Sequence, residues 1–501
     1  MFRTSRLLIS TSLIFVALVA CTLGETPPPA SAPGGGTMPI FPPGGGLSPL
    51  TPPPSSGQTY YVSPHGNNAN PGTQQQPWAT PGYASRQLNP GDTLVILGGR
   101  YTLSLYNDDI LKPPSGTAEA WIIIKGEEGS RPILAGRDNL MTAVDLSGVS
   151  YLWLENIEIT HDDTAGGEAA WFRDGIEIVG APASHIIVKD MYIHHLDEFG
   201  MNFQDVDDLQ IVNCRVEYAG FGALGGPAGE HGGWRDVHVL GSVLAYGGHY
   251  YQGGDGRNRP YDRPDGFGIE ASQGPIEIVD TVAAHNYGDG LDSKVANTTI
   301  RRSIVANNSC DGVKLWGENS RVENTLIYGR GDGSSERTSW AAIVIHTEMA
   351  DARFEIVNVT VDDMLGGNYL MHVQYDYPQI PVHLSIYNSI FRSAGSNSPI
   401  YIGDASRLEV SHSLFYLPDS DFLLTQGETT YTADTILGLG ESILYADPLF
   451  VNPARGSEGD YHLQPGSPAL GAGTPDGAPL DDLTGAPRRI PYDLGAYNGG
   501  Q

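Results

Sequence analysis

The chain has 501 residues, with 58 acidic against 28 basic side chains and a formal net charge of −30. This balance argues against nucleic acid as a partner, because phosphate binding requires a basic surface. It also disfavours an anionic substrate unless cations or local arginines mediate the contact.

The N-terminal segment has the pattern of a targeting signal over residues 1–21. Arg3 and Arg6 precede an apolar run over residues 7–20, which is too short for a comfortable transmembrane helix. The ending LVAC resembles the bacterial lipobox, which implies lipidation at Cys21; an ordinary signal peptide is the alternative. We therefore expect a protein of the bacterial cell envelope or surface, or a secreted one.

Residues 22–57 form a second segment, rich in proline, glycine, serine and threonine. This composition cannot bury apolar surface, so we expect a disordered tether. The folded domain is predicted to span residues 58–501. Its opening, YYVSPHGNNANPGTQQQPWAT, resembles the start of many bacterial right-handed parallel β-helix proteins.

A short phrase recurs along the domain: two period-two apolar stretches flanking a polar centre, which predicts two strands joined by a bend. The polar centres are residues 156, 190, 213, 280, 302, 324, 358, 388 and 412, with shortest spacings of 22 to 24. Stacked coils of about that length predict an all-β, right-handed parallel β-helix of roughly 10 coils with caps at both ends. A β-propeller is the competitor, but its blades need about 40 residues.

Two further features concern the domain as a whole. Residues 446–501 resemble the C-terminal end of secreted β-helix proteins, and we expect them to close the last strand edge as a cap. Cys214 and Cys310 lie about four coils apart, too far for a disulfide, so two free thiols are predicted. A monomer is expected.

A second recurring phrase begins with Asp-Gly and stands in DGFGIEAS (265–272), DGLDSK (289–294) and DGVKLW (311–316). If the Asp-Gly pairs are turns, the alternation of the strand places Asp292 and Lys314 in one outward column. Asp265, Asp289 and Asp292 would then converge, and carboxylates this close favour a hard cation such as Ca²⁺. The structural alternative is that Asp and Gly recur because both suit tight turns. Beside a cation the ammonium pKa of Lys314 should fall, which would make that lysine a credible base.

The order DGF, DGLD, DGVKLWG resembles the family 9 polysaccharide lyases, which are pectate lyase-like right-handed β-helices. The resemblance implies Ca²⁺ ligation by Asp265, Asp289 and Asp292 and a general base at Lys314. The family commonly has an Asp doublet where this chain has Gly288-Asp289, so one ligand is missing or replaced, with Glu270 or water as candidates.

The implied reaction is β-elimination on a uronic-acid polysaccharide, with pectate or polygalacturonate as the family default. The insertion over residues 247–264 offers Arg257, Arg259 and Arg263 to grip substrate carboxylates; a solvated loop is the alternative. Trp316 is expected to face outward and to stack on a sugar or to pack. Lys294 is expected beside the acidic cluster, as a substrate contact or fallback base.

Two other classes of function remain open on the sequence. A β-helix glycoside hydrolase could use Asp289, Asp292 and Asp311 as acid and base, although hydrolysis gives Lys314 no task. A surface glycan-binding module or adhesin without catalysis is the second alternative. The polymer, and endo or exo action, are not readable from the sequence.

Overall fold

The computed structural model describes residues 50–53, 56–253, 264–329, 341–363, 369–394, 397–454 and 459–499. Nearly all regular structure in this part is parallel strand, and the architecture is the predicted right-handed parallel β-helix. Among the described residues the one α-helix, Pro81–Ser85, and the two 3₁₀ turns, Gly167–Ala170 and Ile436–Gly438, are short. Within the described residues no helix is both long and apolar enough to cross a membrane.

A 12-stranded sheet forms the face on which the candidate site lies. Its strands are Leu140–Asp145, Phe172–Ile178, Phe199–Phe203, Gly222–Gly226, Asp265–Ile269, Leu291–Ser293, Val313–Leu315, Ala341–Ile345, Tyr369–Val373, Ile400–Ile402, Leu424–Gln426 and Thr429–Tyr431. All consecutive pairs are parallel except the last, which is antiparallel.

The remaining two faces form one 25-stranded sheet, because Arg407–Tyr416 pairs with both ladders and joins them. Its strands are Thr59–Val62, Thr93–Ile96, Arg100–Leu103, Ile122–Gly126, Ile133–Gly136, Ser150–Glu155, Glu158–His161, Ala183–Lys189, Tyr192–Leu196, Val206–Val212, Arg215–Ala219, Trp234–Leu240, Val243–Ala245, Ile276–Val279, Val282–Ala284, Thr298–Arg301, Ile304–Ala306, Ser320–Glu323, Leu326–Tyr328, Ala352–Val357, Thr360–Asp362, Val382–Tyr387, Ile390–Arg392, Arg407–Tyr416 and Glu441–Tyr445. A short antiparallel pair follows, Phe450–Asn452 with Asp460–Leu463.

The polar centres of the repeated phrase are the bends between these two ladders. All nine have a left-handed backbone, with φ between 42° and 58°. Asparagine and aspartate tolerate this conformation better than other side chains, which explains their recurrence there. The bend prediction from the sequence is therefore confirmed.

The apolar residues of each coil point inward and stack into one continuous core. Cys214 and Cys310 are buried in the stack and are not joined by a disulfide, as expected. Burial raises the pKa of the Cys214 thiol to about 12, and the thiol is therefore unreactive as a nucleophile.

The described part of the C-terminal segment packs along the side of the helix. Phe450, Tyr461 and Leu494 share a small core with Val282 and Leu414, which lie several coils apart. The segment therefore covers the outer face of one ladder.

Candidate metal and catalytic site

The three Asp-Gly phrases form a ladder of hydrogen bonds from coil to coil. Oδ1 of Asp265 accepts the backbone N–H of Asp289 at 2.6 Å, and Oδ1 of Asp289 accepts that of Asp311 at 2.8 Å. Oδ1 of Asp311 accepts the N–H of Ala341 at 2.9 Å. One oxygen of each carboxylate thus holds neighbouring coils together.

The Asp-Gly pairs are not the tight turns that the sequence interpretation assumed. Asp265 and Gly266 lie inside a strand, and none of the three glycines has a positive φ. Glycine is needed for space instead: a Cβ on Gly290 would lie 2.5 Å from Val305, and one on Gly312 would lie 2.4 Å from the Ala342 carbonyl oxygen. Close packing between coils therefore selects the glycine.

Strand register places Gly268, Asp292 and Lys314 side by side on three successive coils. The Lys314 ammonium donates to Oδ2 of Asp289 at 3.2 Å and lies 3.4 Å from Oδ2 of Asp292. Asp292 and Lys314 are only 6% and 7% exposed, so this contact is shielded from bulk water. The structure thus brings together Asp265, Asp289, Asp292 and Lys314.

The carboxylates of Asp265, Asp289 and Asp292 each offer an oxygen within 4.8 Å of the others, and among the described residues theirs is the one such group. Oδ1 of Asp292 is buried and has no hydrogen-bond partner, which costs free energy unless something binds it. Burial and the charges of Asp289 and Asp292 raise the pKa of Asp265 well above its usual range. Burial raises the pKa of Asp292 as well, and Lys314 opposes that effect. An all-oxygen, electron-rich set with an unsatisfied ligand atom fits a hard cation such as Ca²⁺.

Lys294, Glu270 and Trp316 lie around this group rather than in it. Lys294 pairs with the exposed Glu270 at 2.5 Å, so the structure does not bring Glu270 in as a ligand. The Trp316 ring stacks on His346 at 4.5 Å, and the ammonium groups of Lys294 and Lys314 lie 5.8 Å and 5.7 Å from its centroid. A sugar could contact the faces of this ring only by displacing these neighbours.

Four of the predicted site residues lie outside the described part of the chain: Cys21, Arg257, Arg259 and Arg263. The start of the same insertion is described. There the Tyr250 ring lies 5.2 Å from His161 and 5.0 Å from His195, and Asp197 accepts the backbone N–H of Gln252.

A further Asp-Gly phrase, DGIE at 174–177, escaped the sequence interpretation because two coils lie between it and the phrase at 265. Its contacts repeat those of the first site: Oδ1 of Asp174 accepts the N–H of Phe199 at 2.8 Å, and Oδ2 accepts Nδ2 of Asn202 at 2.8 Å. Asn202 thus occupies the place that Lys314 has beside Asp289. Burial, with a contribution from Glu198, raises the pKa of Asp174 to about 8.

Glu177 and Asp145 are register partners on adjacent coils of the same face. The Tyr106 hydroxyl donates to Asp145 at 2.7 Å and lies 3.4 Å from Glu177. Burial, then the charge of Asp145, raises the pKa of Glu177 to about 7. The pKa of Asp145 is lowered although burial alone would raise it, because Lys112, Ser147 and Tyr106 hydrogen-bond to its charged form.

Residues 60–223, less than half of the chain, match a family model described as the Pel9A-like right-handed beta helix region. The solved structure of pectate lyase Pel9A is similar over 89% of this chain and 97% of its own, with a TM-score of 0.50 and 16% identity. A complex of XylC with xylose matches equally well in TM-score, 0.50, at 10% identity over 88% of this chain and 99% of its own. The expected resemblance to the pectate lyase-like β-helices is confirmed, and at these identities the two structures establish the fold alone.

A curated relative, the lacto-N-biosidase of Bifidobacterium longum subsp. longum, is 25% identical over 372 residues. The match covers 63% of this chain but only 21% of the relative, so this chain spans about a fifth of that protein's length.

Proposed function

We propose that this protein is a Ca²⁺-dependent polysaccharide lyase, which cleaves a uronic-acid polymer by β-elimination with Lys314 as the general base. The observation that carries the proposal is the group of the half-buried Asp265 and the buried Asp289 and Asp292, with the Lys314 amine 3.2 Å and 3.4 Å from two of its carboxylates. The confirmed pectate lyase-like fold supports the same chemistry. Polygalacturonate is the first polymer to test.

Asp265, Asp289 and Asp292 would hold the cation, which would supply neutralisation of the uronate carboxylate and stabilise the charge that develops at C5. Lys314, in its neutral amine form, would take the C5 proton and become an ammonium. The electron pair then forms the C4–C5 double bond, the C4–O4 bond breaks, and the leaving oxygen takes a proton from solvent. Burial of the group keeps competing water away and strengthens each electrostatic contact.

The test is a panel of polyuronates incubated with the full chain in Ca²⁺ or in EDTA, monitored for the ultraviolet absorbance of the unsaturated product. We expect absorbance in Ca²⁺ and loss of it in EDTA. Lys314→Ala should reduce the rate about a hundredfold or more, because a general base contributes on that order.

Lys294→Ala is the matched control, since Lys294 lies beside the same tryptophan but pairs with Glu270. It should retain most of the activity. If Lys294→Ala lost activity and Lys314→Ala retained it, the base would be Lys294 instead. Hydrolytic products without ultraviolet absorbance would reject the lyase.

A glycoside hydrolase is the second candidate function, favoured by the pair Asp145 and Glu177 and by the lacto-N-biosidase relative. Their environments push the two pKa values apart, as acid and base catalysis on a glycosidic bond requires. In that case Glu177→Gln would abolish reducing-sugar release from an uncharged glycan, and Lys314→Ala would leave it intact.

A further inference from the structure

A second chemically distinct surface lies on the same sheet face as the acidic group. Tyr369, Tyr375 and Tyr401 form an aromatic cluster whose ring centroids lie 5.3 to 6.0 Å apart. Tyr375 is 37% exposed, and the other two are half-buried. The ring planes lie at 49° to 68° to one another, so the three rings do not stack. Their faces and edges therefore remain directed outward.

Strand register connects this cluster to the candidate base. Lys314 pairs with Val344, Val344 with His372, and His372 with Tyr401, so the cluster begins two coils from Lys314 and ends at the third. At about 4.8 Å per coil, this places Tyr401 about 14 Å from Lys314 along the helix axis. One coil spacing is close to the length of one sugar unit, so a glycan running along the axis would place its second or third unit there.

The cluster suits an uncharged sugar better than a uronate. Burial raises the pKa of Tyr369 to about 12, and burial together with Asp404 raises the pKa of Tyr401, so both phenols stay neutral donors. A further acid, Asp376, follows Tyr375 directly and lies 3.8 Å from His346. Acids beside the rings disfavour a second carboxylate, whereas tyrosine rings and hydroxyls suit the apolar face and hydroxyls of a neutral sugar.

We propose that Tyr369, Tyr375 and Tyr401 bind uncharged sugar units of the same glycan whose uronate unit lies at Lys314. The inference rests on the proposed lyase function, and it defines the substrate class as a mixed polymer in which uncharged sugars stand near the uronate. A homopolymer of uronate would use this face less well.

Binding separates the two ideas, because it does not need turnover. In the Lys314→Ala full-length protein, titration calorimetry with uncharged pentose and hexose oligosaccharides should detect binding by at least one of them. Tyr375→Ala and Tyr401→Ala, each added to that variant, should weaken it about tenfold, which is the size expected when a stacked ring is lost. Tyr375→Phe, which keeps the ring, should retain most of the affinity, and Tyr61→Ala on the first coil is the matched control.

Absence of binding by every uncharged oligosaccharide, or binding that both Tyr→Ala changes leave unaltered, would overturn the inference. The lyase proposal would survive without the sugar surface if such a negative titration were combined with equal cleavage of a homopolyuronate by the Tyr375→Ala and unchanged proteins. Tyrosine-dependent binding with no cleavage of any uronate polymer would instead reject the lyase and keep the sugar surface.

Discussion

Each aspartate of the Asp-Gly ladder uses one carboxylate oxygen to hold two neighbouring coils together. Oδ1 accepts the backbone N–H of the next coil, as Asp265 does for Asp289 and Asp289 for Asp311. Asp292 takes no part in that ladder, and its Oδ1 is buried without a partner. This difference assigns Asp292 the clearest need for a ligand, which agrees with the rarity of aspartate in mid-strand.

The residue-scale prediction concerns cation binding at this group. Ca²⁺ should raise the melting temperature of the unchanged protein, since a ligand that binds only the folded state stabilises it by mass action. Asp292→Asn should abolish most of that rise, because it removes a charge from the group. Scanning fluorimetry in Ca²⁺ and in EDTA measures the difference.

Glu270→Gln is the control for that experiment, because Glu270 is exposed and paired with Lys294. Its calcium-dependent rise should match that of the unchanged protein. An equal loss in both variants would show a general effect of surface charge and would reject Asp292 as a ligand.

At the scale of elements, features that follow from the repeat period could be predicted from the sequence. Features that follow from packing between neighbouring coils could not. The nine polar centres that the period located are all bends, because a left-handed backbone restricts the residue type locally. The sequence interpretation misread the Asp-Gly pairs as turns, because the requirement for Gly290 and Gly312 comes from the neighbouring coil. The Trp316–His346 stack was likewise unreadable, since 30 residues of varying coil length separate the two rings.

The bend ladder carries the element-scale prediction. Asn358 has φ of 52° and is fully buried; its Nδ2 donates to the carbonyls of Asp493 and Gly495, and its Oδ1 accepts from Asn388. Asn358→Ala should lower the free energy of unfolding by about 2–4 kcal/mol, from lost hydrogen bonds and left-handed strain. Asn358→Gly should lose about 1 kcal/mol less, because glycine tolerates that backbone.

Urea unfolding of both variants measures the two terms separately. The Gly variant measures the loss of the side-chain contacts with Asn388 and with the C-terminal segment, and the difference between Gly and Ala measures the backbone strain. An alanine variant as stable as the glycine variant would show that the left-handed bend is not a constraint on sequence.

At the scale of the whole molecule, the 12-stranded face carries two coils with related acidic phrases and different neighbours. Asp289 lies beside Lys314, whereas Asp174 lies beside the neutral Asn202. Burial, then the charge of Glu198, raises the pKa of Asp174 to about 8, and the neutral Asn202 offers no positive charge to oppose that rise. The same repeat thus places its aspartate beside a lysine in one coil and beside a neutral amide in another.

This contrast predicts how stability depends on pH. A carboxyl whose folded pKa lies above its unfolded value of about 4 stabilises the fold fully below about pH 4. That contribution is lost as the pH rises through about 7 for Glu177 and about 8 for Asp174. Asp174→Asn removes the titration, so its melting temperature relative to the unchanged protein should rise steadily from pH 4 to pH 8. The buried Oδ1 of Asn202, which lacks a partner, can accept a hydrogen bond from the new amide once the Asn202 amide group flips.

Asp138→Asn serves as the control, because Asp138 is exposed and asparagine suits its left-handed backbone. Its melting-temperature difference should stay flat across the same range, and a flat difference for Asp174→Asn as well would mean that Asp174 is ionised in the folded protein throughout.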